Sequence, residues 1–124
     1  MTIDEIITTY LKGWELGDGG LSLGVTVDAF YYDDPNTGRI VRADFVAFVN
    51  DFKQAAVEMG ASVNAYPFLE YSDIVIRKEN DTATIWCWWH AVGTELQGSA
   101  LVKASQAGIL NEKIAYFSRL PDSV

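Results

Sequence analysis

The sequence predicts an α+β domain in which N-terminal helices pack on a long, curved antiparallel sheet that encloses an apolar pocket. Three observations point there. Helical periodicity is confined to the first half of the chain. The second half is a run of β-branched and aromatic segments cut by turn residues, and helices followed by a strand meander define the α+β class. Sixteen aromatic residues (four Trp, six Tyr and six Phe) are a heavy load for 124 residues, and many fall on elements that should face one another.

The first helix is expected from about Ile3 to Leu16. Thr2 and Glu5 form a capping-box pattern before it. Ile3, Ile6, Ile7, Tyr10, Leu11 and Trp14 recur at three- and four-residue steps and share one face. Gly17 ends it. A short turn around Leu21 to Gly24 follows. Val27 to Asp33 reads as a strand, with Phe30, Tyr31 and Tyr32 favouring extended backbone, and Asp34-Pro35 stops it. A second helix runs from about Ala43 to Met59, with Phe45, Val46, Phe48, Val49, Phe52, Ala55, Ala56 and Met59 as a wide apolar face and Gly60 as its stop. Strands then follow over Phe68 to Lys78, Thr82 to Val92, Ser99 to Ser105 and Ile109 to Leu120. Their punctuation is Asn80-Asp81, the loop Gly93 to Gly98, and Gln106-Ala107-Gly108.

The length fits one domain over residues 1–124. A chain of this size buries roughly two-thirds of its unfolded surface, enough to fold without disulfides or metals. Nine Lys+Arg against seventeen Asp+Glu give a net charge of −8. No basic stripe is present to release counterions, so nucleic acid and anionic lipid are excluded as expected partners. No apolar run approaches the roughly 18–20 residues of a membrane span. Cys87 is the only cysteine, and the opening Met1–Glu5 has neither the basic nor the apolar part of a signal peptide. A cytoplasmic location is therefore expected.

The aromatic set defines the expected pocket. Trp14, Phe30, Tyr32, Phe48, Phe52, Trp86, Trp88 and Phe117 are assigned to its wall, because rigid rings around a few polar groups are how small-molecule sites are built. Strand alternation separates Trp86 and Trp88 from Cys87 and Trp89, although a one-residue slip would exchange the two faces. A Trp-rich face left bare would promote association, so a homodimer through the sheet is expected.

Tyr10-Leu11-Lys12-Gly13-Trp14-Glu15-Leu16-Gly17-Asp18, the acidic residue before proline in Asp34-Pro35, and the hairpin Leu101-Val102-Lys103-Ala104-Ser105-Gln106-Ala107-Gly108 ending in Ile114-Ala115-Tyr116-Phe117-Ser118 together resemble bacterial ketosteroid isomerases. SnoaL-like polyketide cyclases and the wider nuclear-transport-factor-2-like (NTF2-like) superfamily share the same layout. The resemblance implies a cone-shaped, cystatin-like fold. It places Tyr10 on the family's oxyanion-binding tyrosine and Asp34 on its general base. The family's second oxyanion donor, a protonated Asp, falls on Ala100, which cannot donate. Losing such a donor typically costs on the order of 3 kcal/mol of transition-state stabilisation.

Read on their own terms, the candidate residues each carry two readings. Asp34 is turn chemistry before a proline, or a carboxylate whose desolvation at a pocket mouth makes it a better base. Tyr10 is core packing, or a donor to a ligand oxygen. His90, the only histidine, is a surface or interface residue, or an acid/base partner. Cys87 is a small hydrophobe. No metal-ligand spacing and no phosphate-binding glycine loop is present, so neither metal nor cofactor is expected. Three functions remain open: a cofactor-independent isomerase or cyclase acting on a small apolar molecule, a non-catalytic domain binding such a molecule, and a protein-interaction module.

Overall fold

The computed structural model describes residues 1–62 and 66–117. Helix α1 spans Ile3–Leu16. The Thr2 hydroxyl accepts from the Glu5 N–H at 3.1 Å, and the Glu5 carboxylate accepts from the Thr2 N–H at 2.9 Å, so both halves of the capping box form. Gly17 closes the helix at φ 66°, in the left-handed region that glycine adopts without a Cβ clash. Helix α2, Gly19–Leu23, folds back on α1 at once. Gly13 permits that approach, since a Cβ there would lie 1.9 Å from Ser22 Oγ. The Ser22 hydroxyl donates to the Tyr10 carbonyl at 2.6 Å and locks the corner.

Strand β1, Thr26–Asp34, leads into β2, Gly38–Val41. The sequence reading had no β2, because four residues are too few to show alternation. A 3-10 turn over Arg42–Asp44 precedes α3, Phe45–Glu58. Strands β3 (Leu69–Glu79), β4 (Thr82–Ala91), β5 (Gln97–Ser105) and β6 (Gly108–Tyr116) follow. The expected strand beyond Phe117 lies outside the described residues.

The six strands form one sheet in the order β2-β1-β6-β5-β4-β3. Every neighbouring pair is antiparallel except β1 and β6, which run parallel. The all-antiparallel expectation is corrected at that one seam. The β2 hairpin occupies one edge of β1, and the direction of β6 is already set by its hairpin with β5, so β6 meets the free edge of β1 head to head. Among the described residues, helices cover only one face of this sheet. Between them sits a ring cluster centred on Phe45, which meets Trp14 at 5.7 Å, Phe30 at 5.2 Å and Tyr32 at 5.9 Å. Edge-to-face contacts of this kind add to the area each ring buries.

The parity of β4 settles which tryptophans are inside. Ala83, Ile85, Cys87, Trp89 and Ala91 are buried, and Trp86 and Trp88 are 54% and 45% exposed. Trp86, Trp88 and Phe117 therefore do not line the interior. They stand on the uncovered outer face, where Phe117 packs on Trp88 at 5.3 Å. The physical reason is the period of two: Ala83, Ile85, Cys87 and Ala91 share the parity of Trp89, and that is the side the helices cover.

Candidate functional site

The interior site is a narrow crevice between α1, α3 and the covered face of the sheet. Trp14 from α1, Phe52 from α3, Tyr32 from β1, Leu69 and Tyr71 from β3, Trp89 from β4, and Glu112 and Ile114 from β6 line it. Gly98 helps to seat one wall. A Cβ there would come within 3.0 Å of the Trp89 ring and 1.7 Å of the Ala115 carbonyl. Room open to the centre of a water molecule amounts to about 10 Å³, enough for about one water.

Glu112 is the residue around which the crevice is organised, and sequence reading did not single it out. It is only 2% exposed, beside Tyr32 across the parallel β1–β6 seam and Val102 across the β5–β6 seam. The Tyr10 hydroxyl donates to Glu112 Oε1. Burial raises the Glu112 carboxyl from 4.5 to about 7, and the hydrogen-bonding groups of Tyr10 and Trp14 pull against that rise. The Tyr10 phenol is held well above its ordinary value, first by burial and then by the charge of Glu112. Tyr32 and Tyr71 are raised for the same two reasons in the same order. The crevice thus holds a single carboxyl that exchanges its proton near neutrality, surrounded by phenols that keep theirs.

A signal for Glu112 did exist. Ile114 is an apolar strand residue, and alternation puts Glu112 and Tyr116 on its face and Lys113 on the other. The structure follows that parity, with Glu112 and Ile114 buried and Lys113 exposed.

The other candidates fall in three places. Phe30 and Phe48 belong to the ring cluster beside the crevice and do not line it; Phe48 meets Tyr32 at 5.0 Å. Asp34 is buried, yet its carboxylate is engaged by its own turn. Its Oδ1 accepts from the backbone N–H of Asn36 at 2.7 Å and Thr37 at 3.2 Å, and its Oδ2 accepts from the Tyr116 hydroxyl at 2.7 Å. Asp34 is not among the residues that line the crevice, and Tyr10 is bonded to Glu112. His90 shares the outer face with Trp86 and Trp88. Its Nδ1 lies 2.9 Å from Glu70 Oε1 and its Nε2 lies 2.8 Å from the Thr94 carbonyl. It cannot supply the donor that Ala100 lacks, because β4 turns it away from the crevice. Ala100 is buried opposite Cys87 and Ile114. Burial pushes the Cys87 thiol up to about 12, which suits an inert core residue. Among the described residues no group of three His, Cys, Asp or Glu could hold a metal ion, and no helix is long and apolar enough to cross a membrane.

Solved structures share this architecture. A provisionally assigned polyketide cyclase from Xanthomonas campestris superposes with a TM-score of 0.65 at 16% identity, over 93% of this chain and 90% of that one. An NTF2-like protein from Cytophaga hutchinsonii gives 0.65 at 12% identity, over 93% and 95%. A protein of unknown function with a cystatin-like fold from Nostoc punctiforme gives 0.66 at 13% identity, over 96% and 91%. No protein-family model and no curated protein matches the sequence. At these identities the likeness defines the fold, which is the NTF2-like, cystatin-like cone of helices on a curved, unclosed sheet.

Proposed function

We propose that the crevice binds a small, flat, largely apolar molecule and that Glu112, tuned by Tyr10, is its acid–base group, as in a cofactor-independent isomerase or cyclase. The observation that carries this reading is the buried Tyr10–Glu112 pair inside an aromatic crevice. A general base works best when its pKa lies near the operating pH, and burial sets Glu112 there. Ionised Glu112 would take a proton from the carbon beside a ligand carbonyl. The C–H bond breaks, an O–H forms on Glu112, and the electron pair moves into the enolate. Return of the same proton to a different carbon completes an isomerisation without cofactor or metal. This gives the carboxylate role to Glu112, since both Asp34 oxygens already have partners. The polyketide-cyclase assignment of a similar structure supports the same class of chemistry.

Tryptophan fluorescence during titration with phenol and 2-naphthol tests the binding step. Saturable quenching is expected for the wild type, weakened in Glu112→Gln and Tyr10→Phe and unchanged in Asp34→Asn. Exchange of the α-hydrogens of a cyclic ketone in D2O, followed by NMR, tests the chemistry. Binding without exchange would leave a non-catalytic binding domain. Absence of binding by either phenol would favour the interaction module, a reading supported by the tightness of the crevice, since ligand sites usually enclose 300–1,000 Å³ and lining side chains must shift to admit a ring.

A second copy of the chain is the proposed partner of the outer sheet face. Val75, Trp86 and Leu101 form one row across three strands, and Trp88 lies in the next row with Phe117 packed on it. Lys103, Lys113 and an Arg77–Glu79 ion pair stand toward one end of this face, and Glu70 beside His90 at the other. A twofold axis lying across the strands would bring the basic end of one copy onto the acidic end of its partner. Sedimentation velocity at micromolar concentration is expected to give a dimer that Trp86→Lys dissociates. Lys103→Glu should weaken it and Glu70→Lys, added to that variant, should restore it. A monomeric wild type would remove the proposal.

A further inference from the structure

Trp14 Nε1 is the buried side-chain polar atom that has no hydrogen-bond partner among the described residues. Its side chain is 2% exposed. Native proteins nearly always supply an acceptor to a buried donor, so an orphan of this kind calls for a ligand or a water. The ring lines the same crevice as Glu112. The indole N–H acts on both Glu112 and Tyr10, yet it meets neither in hydrogen-bonding geometry. The Tyr10 hydroxyl is directed at Glu112 Oε1, and Glu112, with further acceptor capacity, lines the same small space. That space has room for about one water.

We propose that Trp14 Nε1–H and Glu112 together form a binding point for one neutral oxygen atom: a water molecule in the free protein, and the carbonyl or hydroxyl oxygen of the ligand in the complex. The indole donates to the oxygen; Glu112 accepts from a water or hydroxyl there when ionised and donates to a carbonyl there when protonated. Two polar partners are the minimum that a buried water requires. The ligand half of the proposal rests on the crevice being a small-molecule site. It makes Trp14 the positioning donor for the ligand oxygen, a role Tyr10 does not fill because its hydroxyl serves Glu112. It also fixes the ligand's charge. Among the described residues neither Lys, Arg nor His lines the crevice, so a carboxylate or phosphate would face Glu112 uncompensated.

The water half is tested on wild-type protein labelled with ¹⁵N at tryptophan. The four indole N–H signals are assigned by single Trp→Phe variants of the other three. A sustained cross-relaxation peak between the Trp14 indole and water, with slow hydrogen exchange, is expected. A slowly exchanging indole without a water peak would overturn it. The ligand half uses acetophenone, its oxygen-free analogue ethylbenzene, and benzoate. Acetophenone is expected to bind the wild type about three- to tenfold more tightly than ethylbenzene, the range one hydrogen bond supplies. In Trp14→Phe the ratio of acetophenone to ethylbenzene affinity should fall to about one, whatever the smaller ring does to both affinities together, and benzoate should bind neither protein. An advantage that survives Trp14→Phe, or preferential benzoate binding, refutes the ligand half. Failure of all three probes refutes the small-molecule reading and the ligand half with it, and the water peak then decides the water half alone.

Discussion

Replacing Glu112 with Gln removes the proton from the interior site and leaves the Tyr10 hydroxyl an oxygen to donate to. In the folded protein the Glu112 carboxyl titrates at about 7, against an ordinary value of 4.5. Its folded pKa therefore lies above its unfolded one. Between those two values the native state binds more protons than the unfolded state, so stability falls as pH rises. The contribution is fully present below about 4.5 and is lost as pH passes through 7. One pKa unit is about 1.4 kcal/mol, so the whole span amounts to about 3 kcal/mol. Gln carries no charge at any pH and has no such slope. Urea unfolding of both proteins at several pH values from 4.5 to 8 should show the wild type losing about 3 kcal/mol relative to Glu112→Gln. In thermal melts the same divergence is on the order of 10 °C. Parallel stability curves for the two proteins would refute the reasoning. They would mean that Glu112 is solvated or paired with a cation, and the acid–base role would fall with its burial.

Three further substitutions test the scaffold that holds the site. Thr2→Ala removes the hydroxyl that accepts from the Glu5 N–H and keeps the backbone N–H that donates to the Glu5 carboxylate, so it should cost about 1 kcal/mol in urea denaturation. Gly13→Ala places a methyl 1.9 Å from Ser22 Oγ and 2.6 Å from the Ser22 backbone nitrogen, so it should cost about 2 kcal/mol or more by forcing α2 off α1. Phe45→Ala removes the ring at the centre of the aromatic cluster and should cost about 3–5 kcal/mol, read as a fall in melting temperature with loss of the near-ultraviolet tryptophan signal.

Local chemistry made much of this fold legible. The capping box and Gly17 bounded α1 from Ile3 to Leu16, as the structure has it. Asn80 adopts φ 54° in the β3–β4 turn, the left-handed state that Asn tolerates and that made Asn80-Asp81 readable as a hairpin. What stayed hidden depended on contacts distant in sequence. The inward parity of β4 is decided by which side the helices cover, and no local pattern states that. Trp86 and Trp88 are as apolar as Trp89, so hydrophobicity alone put them inside. Glu112 went unnoticed for the opposite reason. A charged residue on a strand reads as solvent-facing, and only the distant Tyr10 makes its burial tolerable. Asp34 was found for its place before a proline, and that same turn engages the carboxylate.

The parallel seam between β1 and β6 has a consequence for the order in which the chain can be built. β1 is complete within the first third of the chain, yet one of its two edges stays open until the last described strand arrives. The Tyr10–Glu112 bond spans 102 residues. A ribosome emits the chain from its N-terminus, so the helices and the first hairpin must wait, exposed, for β6 to emerge. Long-range closures of this kind slow folding, because loop entropy is lost before the contacts that offset it form. The proton-holding centre is then among the last features to appear during synthesis, and any truncation that removes β6 abolishes the site and opens the middle of the sheet in the same stroke.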